Sequence, residues 1–220
     1  MKIILASGSP RRYELLKQTG WDVEVRSLPF AEVETVNEAT EQLTQLRKNI
    51  LSGASTQQGV TFCEKDLALL SPYRDADLVC AYNALGKGKA AAASTVTWTP
   101  VIAADTIVVL GNKILGKPTD PDNAKDMLRQ LSGNVHEVKT AIAAFYLDKT
   151  LLQVVTTRVY FRKLTEKRID RYVSTGEPLD KAGAYGIQGK GAALVERIEG
   201  SYDNVVGLPM IAVYEMLSNL

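Results

Sequence analysis

The apolar positions fall into short runs separated by turns, and most runs have a period that names their element. Ile3 to Ala6 is a brief buried-strand run closed by Ser7-Gly8-Ser9. Pro10 then predicts a helix start, with Ser9 as N-cap, Leu15 and Leu16 facing inward and Gly20 as the stop. Loose alternation from Trp21 to Phe30 suggests a second strand. From Val33 to Ser55 the pattern is polar and helical, with Leu43, Leu46 and Ile50 on one face. Residues 52–80 are hard to place. Gly, Ser, Gln and Thr dominate at first, Ser71-Pro72 marks a turn, and the stretch reads as an insertion or excursion. Ala90 to Ala93 predict a helix through alanine's propensity.

The strongest strand signal is Val101 to Leu110, bounded by Pro100 and the turn Gly111-Asn112. A helix follows, with Asp120 as N-cap, Pro121 at the first helical position, Met127, Leu128 and Leu131 on one face and Gly133 at the stop. Val135 to Leu147 and Leu152 to Arg162 are strand-like. Thr165 to Gly176 and Pro209 to Leu217 are helical, with a glycine-punctuated stretch between them. Strands and helices mixed along the whole length predict an α/β protein with one main sheet.

Composition narrows the function. Lys plus Arg is 26 and Asp plus Glu is 25, so the basic excess of a nucleic-acid or membrane-surface protein is missing. Any anion must then be met by a local cluster of cations. Two cysteines, Cys63 and Cys80, and a single histidine, His136, are too few for a usual zinc site, so that if a metal is used, oxygen-bound Mg²⁺ or Mn²⁺ fits better. No apolar run approaches the roughly 18 residues of a membrane-spanning helix, and a reduced cytoplasmic setting is expected.

Four stretches carry candidate chemistry. Ser7-Gly8-Ser9-Pro10-Arg11-Arg12 takes a strand through a small-residue turn to a helix N-terminus, where backbone N–H groups lack partners. Two arginines there oppose the helix dipole, and a bound polyphosphate would turn that penalty into attraction. An arginine pair pointing only into solvent is the alternative. Asp105 interrupts an apolar strand, so its carboxylate must be solvated, paired, metal-bound or used to cap a turn. Lys87, Lys89 and Lys117 could each touch phosphate or simply be solvated. Gly183 to Gly191 holds four glycines in nine residues but matches neither a P-loop nor a dinucleotide fingerprint. His136 reads as a packing or hydrogen-bonding residue, and Tyr202-Asp203-Asn204 as a turn before the final helix.

The order of these pieces is informative. Ala6 to Arg12, Ala104-Asp105-Thr106, Leu115-Gly116-Lys117-Pro118, Leu131-Ser132-Gly133 with His136, Gly183 to Gly191 and Asn204 to Pro209 together resemble the Maf family of nucleoside triphosphate pyrophosphatases. The likeness covers about residues 1–35 and 86–220. It implies an inosine-triphosphate-pyrophosphatase-like α/β fold, a bent mixed sheet with two lobes around a cleft, as a single domain over residues 1–220 with an insertion at about 36–85. It implies hydrolysis of a nucleoside triphosphate to monophosphate and pyrophosphate with Mg²⁺ or Mn²⁺, without nucleic acid or membrane, in a homodimer. By the same resemblance Asp105 is the proton acceptor, Asp105 and Glu32 hold the metal, and Lys117 joins them as a catalytic group. Ser7, Arg11, Arg12, Lys89, Thr106 and Gln188 bind substrate, with Lys87 the alternative to Lys89. The Asp-Thr pair and Ile187-Gln188-Gly189-Lys190-Gly191 are similar to the branch acting on dTTP and UTP, with modified pyrimidine nucleotides as a further class. A 7-methyl-GTP pyrophosphatase and a regulator of cell division that binds nucleotide without turnover are the alternatives.

Overall fold

The computed structural model describes residues 1–53, 56, 57, 60–95 and 98–220. Its main sheet has seven strands in the order β2-β1-β5-β7-β8-β9, with β6 paired to β5. Pairing is parallel between β1 (Lys2–Leu5), β2 (Asp22–Val25) and β5 (Val101–Leu110). It is antiparallel between β5 and β6 (Lys113–Leu115) and between β8 (Lys149–Phe161) and β9 (Val195–Glu199). The sheet is therefore mixed, as the family resemblance implies.

The chain divides into two compact units. The first holds Met1–Asp105, Thr140–Val155 and Gly207–Leu220; the second holds Thr106–Lys139 and Thr156–Val206. Three of the four boundaries fall inside β5, β7 (Val135–Tyr146) and β8, and the fourth follows Val206. Burial along β7 records the passage: Val135 to Thr140 alternate in exposure, whereas Ala141 to Phe145 are buried throughout. Alternation marks a strand covered on one face and continuous burial one covered on both.

In the first unit, α1 (Pro10–Lys17) begins at the expected proline. Ser9 occupies the N-cap position, but its side chain makes no capping bond, and the helix stops three residues before Gly20. Gln18 to Gly20 form a turn in which Gly20, at φ +78°, donates its N–H to the Lys17 carbonyl. Next, α2 (Val36–Leu51) starts at a capping box: Thr35 Oγ1 accepts the Glu38 N–H at 3.2 Å, and the Glu38 carboxylate accepts the Thr35 N–H. Residues 54 and 55, the end of the helix expected from sequence, lie outside the described residues, as do 58 and 59 of the presumed excursion.

The rest of that excursion is packed structure. A two-stranded hairpin, β3 (Thr56–Gln57) and β4 (Val60–Thr61), leads to α3 (Glu64–Leu70) and then to α4 (Asp75–Ala93). Phe62 is fully buried and stacks on Tyr82 of α4, ring centroids 6.1 Å apart. Only the last residues of α4 were legible, because Leu78 to Gly86 are buried on every side and show no amphipathic period. Two glycines within α4 permit close contact. An added Cβ would lie 2.1 Å from the Phe30 ring at Gly86 and 2.1 Å from that of Phe145 at Gly88. The final helix, α8 (Met210–Ser218), also belongs to this unit.

In the second unit α5 (Pro121–Leu131) is capped as expected, with Asp120 Oδ1 accepting the Asn123 N–H at 2.8 Å. Leu128 and Leu131 join Ile169 and Tyr172 of α6 (Glu166–Val173) in one core. The charged edge strand β9, Val-Glu-Arg-Ile-Glu, was not foreseen. Where a turn was expected, Tyr202–Val206 forms the short helix α7. Its Asn204 is buried and donates to the Val138 carbonyl at 2.9 Å and to Thr157 Oγ1 at 3.0 Å.

His136 is 1% exposed and sits edge-on to Phe161 and Tyr185, sharing a 2.8 Å hydrogen bond with the Tyr185 hydroxyl. Burial holds its pKa down, from 6.5 to about 4. The unfolded chain takes up this proton near 6.5, so unfolding gains a proton below that pH and stability falls as pH drops toward 4. From pH 7 to pH 5 the loss attributable to His136 is about 2 kcal/mol. Thermal melts of His136→Asn at both pH values are expected to show a correspondingly smaller drop than the unmodified protein. Equal drops would remove His136 as the cause.

Candidate active site

Asp105 ends the Met1–Asp105 segment of the first unit, 7% exposed directly after the apolar run Val101 to Ala104 of β5. A carboxylate so placed needs charged or hydrogen-bonding partners, and α4 supplies both. Lys87 Nζ donates to Asp105 Oδ1 at 2.7 Å, and Asn83 Nδ2 donates to Oδ2 at 3.2 Å. Residues 83 and 87 are one helical turn apart and so share a face. The same two side chains fix Glu32. Lys87 Nζ lies 2.6 Å from Glu32 Oε2, while Asn83 exchanges two 2.9 Å hydrogen bonds with the backbone of Val33. One ammonium thus joins two carboxylates, one buried and one exposed.

The first helix adds cations to this group. Arg12 is buried; its Nε donates to the Gly207 carbonyl at 2.8 Å and its Nη1 to Ser7 Oγ at 2.9 Å. Burial lowers its pKa, the attraction of Asp105 and Glu32 raises it, and the repulsion of half-buried Arg11 lowers it. Arg12 thus bonds Ser7 and lies within electrostatic reach of Arg11, Glu32 and Asp105. With Lys87 included, three cations, Arg11, Arg12 and Lys87, accompany the two carboxylates, an excess suited to an anion.

Lys89 is placed elsewhere. Its ammonium reaches Asp66 Oδ2 at 2.7 Å and lies 5.7 Å from the centre of the Phe62 ring. Two residues along a helix are turned about 200° apart, so Lys87 and Lys89 cannot both face Asp105. Asp66 is 2% exposed and also accepts the Cys63 N–H at 2.7 Å, which makes this pair part of the α3–α4 packing.

Thr106, Lys117 and Gln188 belong to the second unit. Thr106 is half-buried on β5 next to Asp105. Lys117 is exposed on the loop after β6 and has no hydrogen bond or ion pair among the described residues. The neighbouring Gly116 carbonyl accepts the Gly183 N–H at 3.0 Å, tying that loop to the glycine-rich stretch. Gln188 is exposed at the start of a 3-10 turn over Gly189–Leu194. The glycine-rich stretch is held by residues the sequence did not single out. Glu177 accepts the N–H groups of Lys190 at 3.2 Å and Gly191 at 3.1 Å, together with the Tyr172 hydroxyl at 3.0 Å.

Among the described residues no three His, Cys, Asp or Glu side chains form a metal-ready group. Glu32 and Asp105 nevertheless suit Mg²⁺, which commonly takes one or two carboxylates and completes its shell with water and substrate phosphate.

The sequence profile described as Maf-like protein matches residues 2–220. The dTTP/UTP pyrophosphatase of Salmonella typhimurium strain LT2 is 42% identical over 217 residues, covering 99% of this chain and 92% of that protein. The dTTP/UTP pyrophosphatase of Dictyoglomus thermophilum is 40% identical over 221 residues, covering 100% and 96%. That of Escherichia coli O157:H7 is 41% identical over 217 residues. A match along essentially the whole chain, joined to the Asp105 cluster, leads to one assignment: the chain belongs to the Maf-like protein family.

Proposed function

We infer that this protein is a nucleoside triphosphate pyrophosphatase that hydrolyses dTTP and UTP to the monophosphate and pyrophosphate. The observation that carries the chemistry is the Glu32–Lys87–Asp105 chain beside buried Arg12. The substrate class comes from the likeness to dTTP/UTP pyrophosphatases.

Asp105 accepts a proton from the attacking water, whose oxygen bonds to the α-phosphorus while the bond to the bridging oxygen breaks. Pyrophosphate leaves with that bond's electron pair. Asn83 and Lys87 hold the Asp105 carboxylate in one orientation, so it need not reorganise during the step. Arg11 and Arg12 neutralise charge on the β and γ phosphates, arginine forks matching phosphate oxygens, and Lys117 adds a point charge. A divalent Mg²⁺ or Mn²⁺ held by Glu32 and Asp105 would supply further charge neutralisation at the reacting phosphate. Gln188 and Thr106 offer hydrogen bonds for selecting the base, and an amide both donates and accepts.

Pyrophosphate release from dTTP, UTP, CTP, GTP and 7-methyl-GTP with Mg²⁺ or Mn²⁺ tests this reading. The kcat/KM for dTTP and UTP is expected to exceed that for the purine nucleotides by at least about tenfold. Preference for 7-methyl-GTP would overturn the substrate assignment. Binding without any release would make the protein a nucleotide sensor.

A further inference from the structure

The stretch from Gly186 to Gly191 is an arc whose two ends are drawn together. A Cβ on Gly191 would lie 2.0 Å from the Gly186 carbonyl oxygen and 2.7 Å from the Tyr172 hydroxyl, so only glycine allows this approach. At the top of the arc Gly189 has φ +66°, a left-handed backbone that also favours glycine. Hydrogen bonds close the base. The Tyr172 hydroxyl accepts the Gly186 N–H at 3.2 Å and donates to Glu177 Oε1 at 3.0 Å, and that carboxylate accepts the N–H groups of Lys190 and Gly191. Gln188 lies inside the closed span, and its side-chain amide has no partner among the described residues. The arc is thus fixed from below, while the Gln188 amide makes no side-chain hydrogen bond to the described residues.

We propose that Glu177 is the positioning residue of base selection: through Tyr172 and the backbone of Lys190 and Gly191 it sets where the Gln188 amide is presented. This rests on the reading of Gln188 as a base-selecting residue. Uracil and thymine offer an N–H donor beside a carbonyl acceptor, a pair that one amide can answer with two hydrogen bonds. Cytosine offers an acceptor beside an amino donor, so an amide held in one orientation discriminates and a loosely held one does not.

The test compares Glu177→Ala, Glu177→Gln and Tyr172→Phe with the unmodified protein. Amide hydrogen exchange at Lys190 and Gly191 is read alongside steady-state kinetics for UTP and CTP. In Glu177→Ala, exchange at both amides is expected to rise at least about tenfold. The KM for UTP is expected to rise about tenfold with kcat within about twofold, and the UTP-to-CTP ratio of kcat/KM to fall about tenfold. Glu177→Gln keeps one acceptor oxygen, which can still serve Gly191 and Tyr172 while the bond from Lys190 is lost, and is expected to recover part of that ratio. Tyr172→Phe retains the buried ring and loses only the hydroxyl, so it carries the test if Glu177→Ala does not fold. Faster exchange with equal loss on UTP and CTP, or a ratio unchanged in a folded variant of an active enzyme, overturns the positioning role alone. If the unmodified protein releases pyrophosphate from neither nucleotide, the functional reading falls and takes this role with it.

Discussion

Asp105→Asn is expected to lower pyrophosphate release from UTP by more than about a hundredfold while leaving the thermal midpoint close to that of the unmodified protein. The amide cannot accept the water's proton, yet it fills the same space and keeps an oxygen for one hydrogen bond. Lys87 would lose one carboxylate partner and retain the other, since Glu32 Oε2 already lies 2.6 Å from its ammonium. No buried cation is stranded, and so the fold has little reason to fail. Measured kcat together with a thermal melt separates the two effects. A folded Asp105→Asn protein with more than about a tenth of normal turnover would remove Asp105 as the proton acceptor.

Lys87 and Lys89 should give opposite phenotypes although they are two residues apart. Lys87→Ala leaves Glu32 and Asp105 without the ammonium that joins them. It is expected to lower kcat/KM for UTP by about a hundredfold, the scale of losing one preorganised electrostatic contact. Lys89→Ala leaves Asp66, 2% exposed, as a buried carboxylate held, among the described residues, by the Cys63 N–H alone. Breaking such a pair costs about 3 kcal/mol, a fall of about 6 to 12 °C in the melting midpoint for a chain of this size. Its kcat below that midpoint is expected to stay within about twofold. If Lys89→Ala abolished turnover in the folded state while Lys87→Ala did not, the assignment of Lys87 to the Asp105 cluster would be wrong.

Elements whose pattern is local were legible in the sequence. Val101 to Leu110 is apolar everywhere except Asp105 and Thr106, and the helix from Pro121 to Leu131 carries its own cap and stop, so both emerge where expected. The helix from Asp75 to Ala93 was nearly lost because burial on all sides erases the contrast that reveals a period. That loss carried into the site. Without the phase of α4, nothing distinguishes Lys87 from Lys89, and the shared face of Asn83 and Lys87 is invisible. Arg12 was recognisable because its charge opposes the helix dipole next to a small-residue turn. Glu177 offered no comparable sign: its partners Lys190 and Gly191 lie 13 and 14 residues away, and the bonds come from their backbone, which sequence does not display.

The most direct test of the central claim is product identification from dTTP incubated with the unmodified protein and Mg²⁺ or Mn²⁺. Catalysis at the α-phosphorus predicts dTMP and pyrophosphate in equal amounts. Formation of dTDP with orthophosphate, or no product from dTTP or UTP while both bind, would contradict it.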